Sequence, residues 1–508
     1  MHLQFTQLLN AVRTAVTAHK GRPLALVILL WLSLNSLISE WPLQYKPAVV
    51  GILEKYTGSP FQAAQRLLFD GYQRKFPRIP ESQPVTIVAI DEPSLAQIGQ
   101  WPWPRNRMAE LIDKINAMQP LAIGLDIYMP EADQTSPDKV AGNLPPGTQA
   151  LASQLRSLPS HETILARSLH AAPTVLGAAG FDHEAQTTTD HLLTAPIQTQ
   201  GTDPRKFVKH FDSVLASLPQ LQEAAHGQAL LSVALENGVV RKLPLVMGLG
   251  DALVPGLAME MLRTATQSQA IEVHANASGV TDVGLADLTV PTQRNGEIWL
   301  HTAPIASTVD RYVSALDILN GKADPERFEG KLVLLGLTGA GLNDMRTTAL
   351  GELVPGIEIQ AQVIEAIFDG RLLQRPLWLK WAEMGFTLCF GLWLVWYVPR
   401  TESRLATFLR NVPRAAVPIG MSLNMIILSV GFACFRYQGV LIDAASIFIV
   451  LSATMSSLIA SAMVEIDRKN KAQAAQAQQA KEDELYQSGV RAGLAQASGA
   501  ATPTVTVG

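Results

Sequence analysis

The clearest signal along the chain is a set of short apolar runs, each ending in a polar residue, separated by segments whose apolar residues recur every three or four positions. "VTIVAID" (Val85 to Asp91) and "LAIGLDIYM" (Leu121 to Met129) are continuous apolar runs, as in strands buried on both faces. Between them Met108, Leu111, Ile112 and Ile115 keep a helical period. Strand, helix and strand with short links predict a βαβ unit and hence a parallel pair. Further on, "HETILARSLH" and "APTVLGAAGF" predict another helix and strand. Asn237-Gly238 inside "ALLSVALENGVVRKLPLVMG" predicts a hairpin, because both positions of its tight turn need positive φ. "EIWLHTAP" reads as an edge strand, "KLVLLGLTGAGLND" as a buried strand with a Gly-rich turn, and "IEIQAQVIEAIFDG" as a helix. "DQTSPDKVAGNLPPGTQ" reads as a loop, and "DHEAQTTTDHLLTAPIQTQGTDP" as a polar excursion outside the core. There is no internal repeat.

Four longer runs have membrane character: Leu24 to Ile38, Leu377 to Val398, Val417 to Phe435 and Val440 to Val464. The first follows Arg13, Lys20 and Arg22 and lacks a small-residue cleavage site, so it reads as a retained anchor. Arg400, Arg404, Arg410 and Arg414 crowd the loop between the second and third runs, which places that loop, the N-terminus and the "DRKNK" segment in the cytoplasm. The expected organisation is residues 1–39 as cytoplasmic start and first span, 40–375 as an extracytoplasmic domain, 376–464 as three further spans, and 465–508 as a short cytoplasmic tail. From Gly51 to Gln73 a helix with Phe61, Ala64, Leu67 and Leu68 on one face leads into the outer domain. Six of the nine tryptophans, Trp31, Trp41, Trp378, Trp381, Trp393 and Trp396, lie in or beside the spans, where interfacial indoles are favoured. The fold class is therefore α/β: an extracytoplasmic, mixed and partly parallel sheet with flanking helices, plus four transmembrane helices.

Composition supports that division. Of 508 residues 48% are hydrophobic and 17% charged, with a positive mean hydropathy, as expected for a soluble domain joined to membrane spans. A net charge of −4 argues against nucleic acid, which needs a basic face. The two cysteines, Cys389 and Cys434, both lie in apolar runs of the C-terminal half, so no disulfide is expected in the soluble part.

Candidate chemistry gathers where strands end. Asp91, Asp126 and Asp344 each close or follow a strand, and ligands of open parallel sheets collect at that rim. "WPWPR" lies over the same rim, where Pro102 and Pro104 stiffen the backbone around Trp101 and Trp103 and leave Arg105 to pair with Asp91 or Asp126. Two readings stay open: a binding wall, or a packed aromatic plug with no ligand. "GLTGAG" lacks the lysine and Ser/Thr of a phosphate loop and is favoured as a tight turn. A hard cation among the three aspartates is the weaker possibility, and neither a metal nor a cofactor is expected. No enzyme is expected either, since there is no HExxH, no GxSxG and no cysteine in the soluble part to act as a nucleophile. His301 reads as a satisfied core histidine, and Glu383 as a local partner of Lys380.

Taken in order, "VTIVAIDEPSLAQIGQWPWPRNRMAELIDKI", "AIGLDIYMPE", "LENGVVRKLPL", "KLVLLGLTGAGLNDMRTT" and "VPGIEIQAQVIEAIFDGRLLQRP" resemble the second class of CHASE domain, the cyclase- and histidine-kinase-associated sensory extracellular domain of bacterial receptors. The resemblance covers most of residues 40 to 465, including one span before the domain and three after. It implies an extracytoplasmic sensor in the inner membrane, in contact with lipid and an extracytoplasmic ligand or protein, with a homo-oligomer as a further expected partner. After the Gly-rich turn this chain keeps Asp344 and Thr347, both counted among the candidate rim residues, but carries Thr348 in place of the family's proline. Family members usually continue into a catalytic module, whereas here only a tail follows the last span, so the expected output is a separate effector. The segment Glu465 to Gln487 reads as a helix and the stretch from Ser488 as a frayed end. The alternative function is a structural envelope protein that docks another protein through its outer domain.

Overall fold

The computed structural model describes residues 22–39, 59–183, 188–189, 191–232, 235–339, 341–342, 344–397 and 416–499. Trp41, the arginine-rich loop, the start of the expected helix at Gly51 and residues 500–508 lie outside the described residues. The chain divides into two compact units, one of residues 1–63, 381–429 and 443–508, the other of residues 64–380 and 430–442.

The larger unit is built on a sheet of seven strands among the described residues, in the order Tyr312–Ser314, Val85–Ile90, Leu332–Leu337, Ala122–Leu125 and Thr174–Phe181, with Ser213–Leu215 and Gly227–Leu230 both pairing with Thr174–Phe181. All pairings are parallel except that of Ser213–Leu215. The expected βαβ strands are parallel but not neighbours, because Leu332–Leu337 lies between them. Leu332 and Leu334 enter one core while Val333 and Leu335 enter the other, as Val85 and Ile87 against Val88 and Ile90 do in the neighbouring strand, so both are buried on two faces. Helices Leu257–Thr266 and Gly356–Phe368 cover the first face, and Arg105–Asn116, His161–Ala171 and Ala315–Leu319 cover the second.

Three expectations change. Within the supposed polar excursion, Ile197–Gly201 is a strand that pairs in parallel with Ile271–Ala275 at the edge of a second, four-stranded sheet. Its side chains after Ile197 are exposed, so the strand is held by its backbone and carries no apolar alternation to betray it. The supposed loop holds one short helix, Pro137–Gly142, opened by a proline that needs no amide partner there, and a second helix, Gln149–Arg156, starts at the loop's last residue. The tail forms one helix with the last apolar segment, Ala444–Gly499, and remains helical past Ser488.

The hairpin is as expected. Leu235–Glu236 and Val239–Val240 pair across Asn237 (φ 55°) and Gly238 (φ 79°). Val239 and Val240 also pair in parallel with Thr347 and Thr348 of the strand Met345–Thr348. Arg22–Ser39 and Ile419–Gln438 are long and apolar enough to cross a membrane. Of the other two expected spans, Leu377–Tyr397 is a 21-residue helix that carries Lys380 and Glu383, and Ala444–Leu458 is a shorter apolar stretch. Glu383 accepts the backbone N–H of Asp443 at 2.7 Å.

Candidate functional site

Asp91 ends the first strand but serves as a joint. Its Oδ1 accepts the Ser94 amide at 3.0 Å, the Ser94 hydroxyl at 2.5 Å and the Ser314 hydroxyl at 2.9 Å, capping the helix Glu92–Ile98 and binding it to the edge strand. The Gly-rich turn is tied down similarly, since the amides of Thr338 and Gly339 both donate to the Ile90 carbonyl, at 3.1 and 3.0 Å. Those amides are spent on the fold, as in a tight turn.

Asp126 and Asp344 act on each other through their charges. Burial pushes the half-buried Asp126 carboxyl up to about 7, with repulsion from Asp344 adding to the rise and Arg346 opposing it. Burial also raises Asp344, against the pull of Arg346, whose Nη2 lies 3.1 Å from its Oδ1. Gly356 makes room for this carboxylate: a Cβ there would lie 2.6 Å from Asp344 Oδ2, and the Gly356 amide donates to the Asp344 carbonyl at 2.8 Å. Thr347 lies in the adjoining strand, paired with Leu353 on one side and Val239 on the other. The rim is thus Asp126, Asp344 and Arg346 with the strand of Thr347; Asp91 belongs to a separate network.

The tryptophans form a plug. Trp103 is 2% exposed, donates its indole N–H to the Gly99 carbonyl at 2.9 Å and packs in the second core. Trp101, half-buried and joined to Pro102 by a cis peptide, meets it edge-on at 5.8 Å. Arg105 pairs with neither Asp91 nor Asp126. At 8% exposure it faces Asp133, Glu162 and Glu131; burial lowers its guanidinium from the usual value and those carboxylates counter the fall. The reason is helix chemistry. Pro104 offers no capping side chain to the helix Arg105–Asn116, and Asp133 fills that place by accepting the Arg105 amide at 2.8 Å.

Asp133 also accepts the Thr135 amide and hydroxyl at 2.8 and 2.7 Å and lies 2.8 Å from His161 Nδ1. Burial alone would raise it, yet these bonds outweigh burial and hold it at about 2. This cluster went unread in the sequence, although the Asp133-x-Thr135 turn is a recognisable local motif.

A second unread network braces the first core. In the helix Gly356–Phe368, Glu358, Gln362 and Glu365 are buried, and Asp369 follows one turn later. Arg311 reaches Glu358 at 3.3 Å and Glu365 at 2.7 Å, while Arg78 reaches Glu365 and Asp369 at 3.0 Å each. Tyr312 donates to Glu358 at 2.7 Å, and burial with that carboxylate raises its hydroxyl. His301 Nε2 lies 3.2 Å from the Phe76 carbonyl, and burial lowers the ring to about 4. Among the described residues no group of three or more His, Cys, Asp or Glu is placed to hold a metal ion.

The family model of the CHASE2 domain matches residues 48–398, more than half of the chain. The chain therefore belongs to the CHASE2 family, a family of extracellular sensory domains. No curated protein and no solved structure matches it.

Proposed function

We propose that this protein is a multi-pass sensor of the bacterial inner membrane, with residues 40–375 outside the cytoplasm and a signal passed through its transmembrane helices to a separate effector. The observation that carries the reading is the family match over residues 48–398. Four spans are supported by the two long apolar helices, by Leu377–Tyr397 and by the apolar stretch Ala444–Leu458. The arginines at 400, 404, 410 and 414 favour a cytoplasmic loop. In this reading the outer domain binds and does not catalyse, and the input site is the Asp126–Asp344 rim. The effector docks on the terminal helix, where Leu485, Tyr486, Val490 and Leu494 are exposed apolar residues that a partner would bury.

The test is thermal unfolding of the full chain in lipid nanodiscs against a panel of amino acids, amines, sugars and divalent cations. A compound that stabilises the native protein but not Asp344→Asn supports the rim as the input site. Stabilisation that is equal in the two proteins places the input elsewhere and overturns it.

A further inference from the structure

Within the larger unit, the part of the helix Pro60–Lys75 that follows Ala63 is held by a buried ion pair. Arg241 donates from Nε to Asp70 Oδ1 at 2.9 Å and from Nη2 to Oδ2 at 2.8 Å, and each residue is 6% exposed. Two parallel bonds fix the angle as well as the distance between the groups. Arg241 Nη1 also donates to the Glu236 carbonyl at 2.8 Å, and the Glu236 carboxylate receives Lys242 at 2.9 Å and Arg66 at 3.2 Å. Arg66 and Asp70 lie one turn apart on one side of the helix. The hairpin Leu235–Val240 and the arginine that follows it thus hold this helix at two points.

The other side of the hairpin leads to the rim. Val239 and Val240 pair with Thr347 and Thr348, Arg346 precedes them in the same strand, and Arg346 holds Asp344 at 3.1 Å. From Asp344 to Asp70 every step is therefore a covalent bond, a ladder of backbone hydrogen bonds or an ion pair.

We propose that the Asp70–Arg241 pair is the joint through which a change at the Asp126–Asp344 rim reaches the helix Pro60–Lys75. Its purpose rests on the sensor reading, but the joint itself does not. Neutralising Asp344, by a proton or a ligand, frees Arg346 and lets the strand Met345–Thr348 shift against the hairpin. Arg241 moves with the hairpin. Parting from Asp70 would leave two buried charges unpaired, so the helix follows.

The test is hydrogen exchange on the full chain in nanodiscs at one fixed pH, with Asp344→Asn standing in for the neutralised rim and no ligand added. The expected result is a change of about fivefold or more in the exchange of amides 66–75, the usual scale of coupling between sites. In a background carrying Asp70→Leu and Arg241→Met together, which removes both charges at once and so spares the fold, Asp344→Asn still alters amides 345–348 but no longer alters 66–75. If that pair fails to fold, Asp70→Asn with Arg241→Gln, which keeps polar side chains there while removing both charges, serves in its place. The joint is refuted if Asp344→Asn leaves 66–75 unchanged, or if the change there survives loss of the pair. Neither outcome depends on membrane topology or a downstream response, so failure here and failure of the sensor reading are separable.

Discussion

Asp133 accepts the backbone N–H of Arg105 at 2.8 Å, so the first amide of a helix that begins after a proline is satisfied by a carboxylate 28 residues downstream. This carboxylate is held at about 2, below its ordinary 3.8, so its stabilising contribution is complete above the ordinary value and disappears as pH falls towards 2. Asp133→Asn is expected to cost about 1 kcal/mol at neutral pH, the usual value of a cap, and to converge with the native protein in acid. Melting curves between neutral and acid pH check both parts.

The Trp101 and Trp103 pair sets a contrast between neighbours. Trp103→Ala opens a cavity in a closed core and is expected to cost ~3 kcal/mol or more. Trp101→Ala, at a half-buried position, costs less. Denaturant unfolding of the two variants measures the difference, and equal losses would contradict the plug.

Asp126 gives the opposite pH dependence from Asp133. Its carboxyl stands at about 7 in the fold against an ordinary 3.8, so the native state holds the proton more tightly than the unfolded chain. Stability therefore falls as pH rises from the ordinary value towards the folded one and is level beyond. Asp126→Asn is expected to remove that slope and to raise the melting temperature on the alkaline side.

Arg311 serves two buried carboxylates at once. Arg311→Met leaves Glu358 and Glu365 short of a cation and is expected to destabilise the larger unit by ~3–5 kcal/mol. Calorimetry of the full chain checks this.

How much of this was legible depended on whether the signal was local. Val85–Ile90, Ala122–Leu125 and the Asn237-Gly238 hairpin announced themselves through apolar runs and turn chemistry. The carboxylates at strand ends were readable as a set because parallel strands end on one rim, and of the three Asp126 feels the charge of Asp344 while Asp91 is held in a separate network. The insertion of Leu332–Leu337 between strands more than two hundred residues earlier in the chain was not readable, since a continuous apolar run specifies burial on both faces but not which neighbours provide it. Arg105 was assigned to the wrong carboxylates for a similar reason. Its partner is set by the path of the loop through Asp133, which composition reveals only as polar. Glu358, Gln362 and Glu365 sit on one face of their helix, and their burial could not be read because Arg78 and Arg311 approach from distant segments to cover that face.

The most direct test of an extracytoplasmic sensor is the side of the membrane on which its α/β domain lies. Topology-reporting fusions after Gln220 and Gln438 are expected to give an outside signal, and fusions after Ser403 and Asn470 a cytoplasmic one, as the arginine-rich loop dictates. A cytoplasmic signal at Gln220 would contradict the sensor reading, whatever the remaining fusions showed.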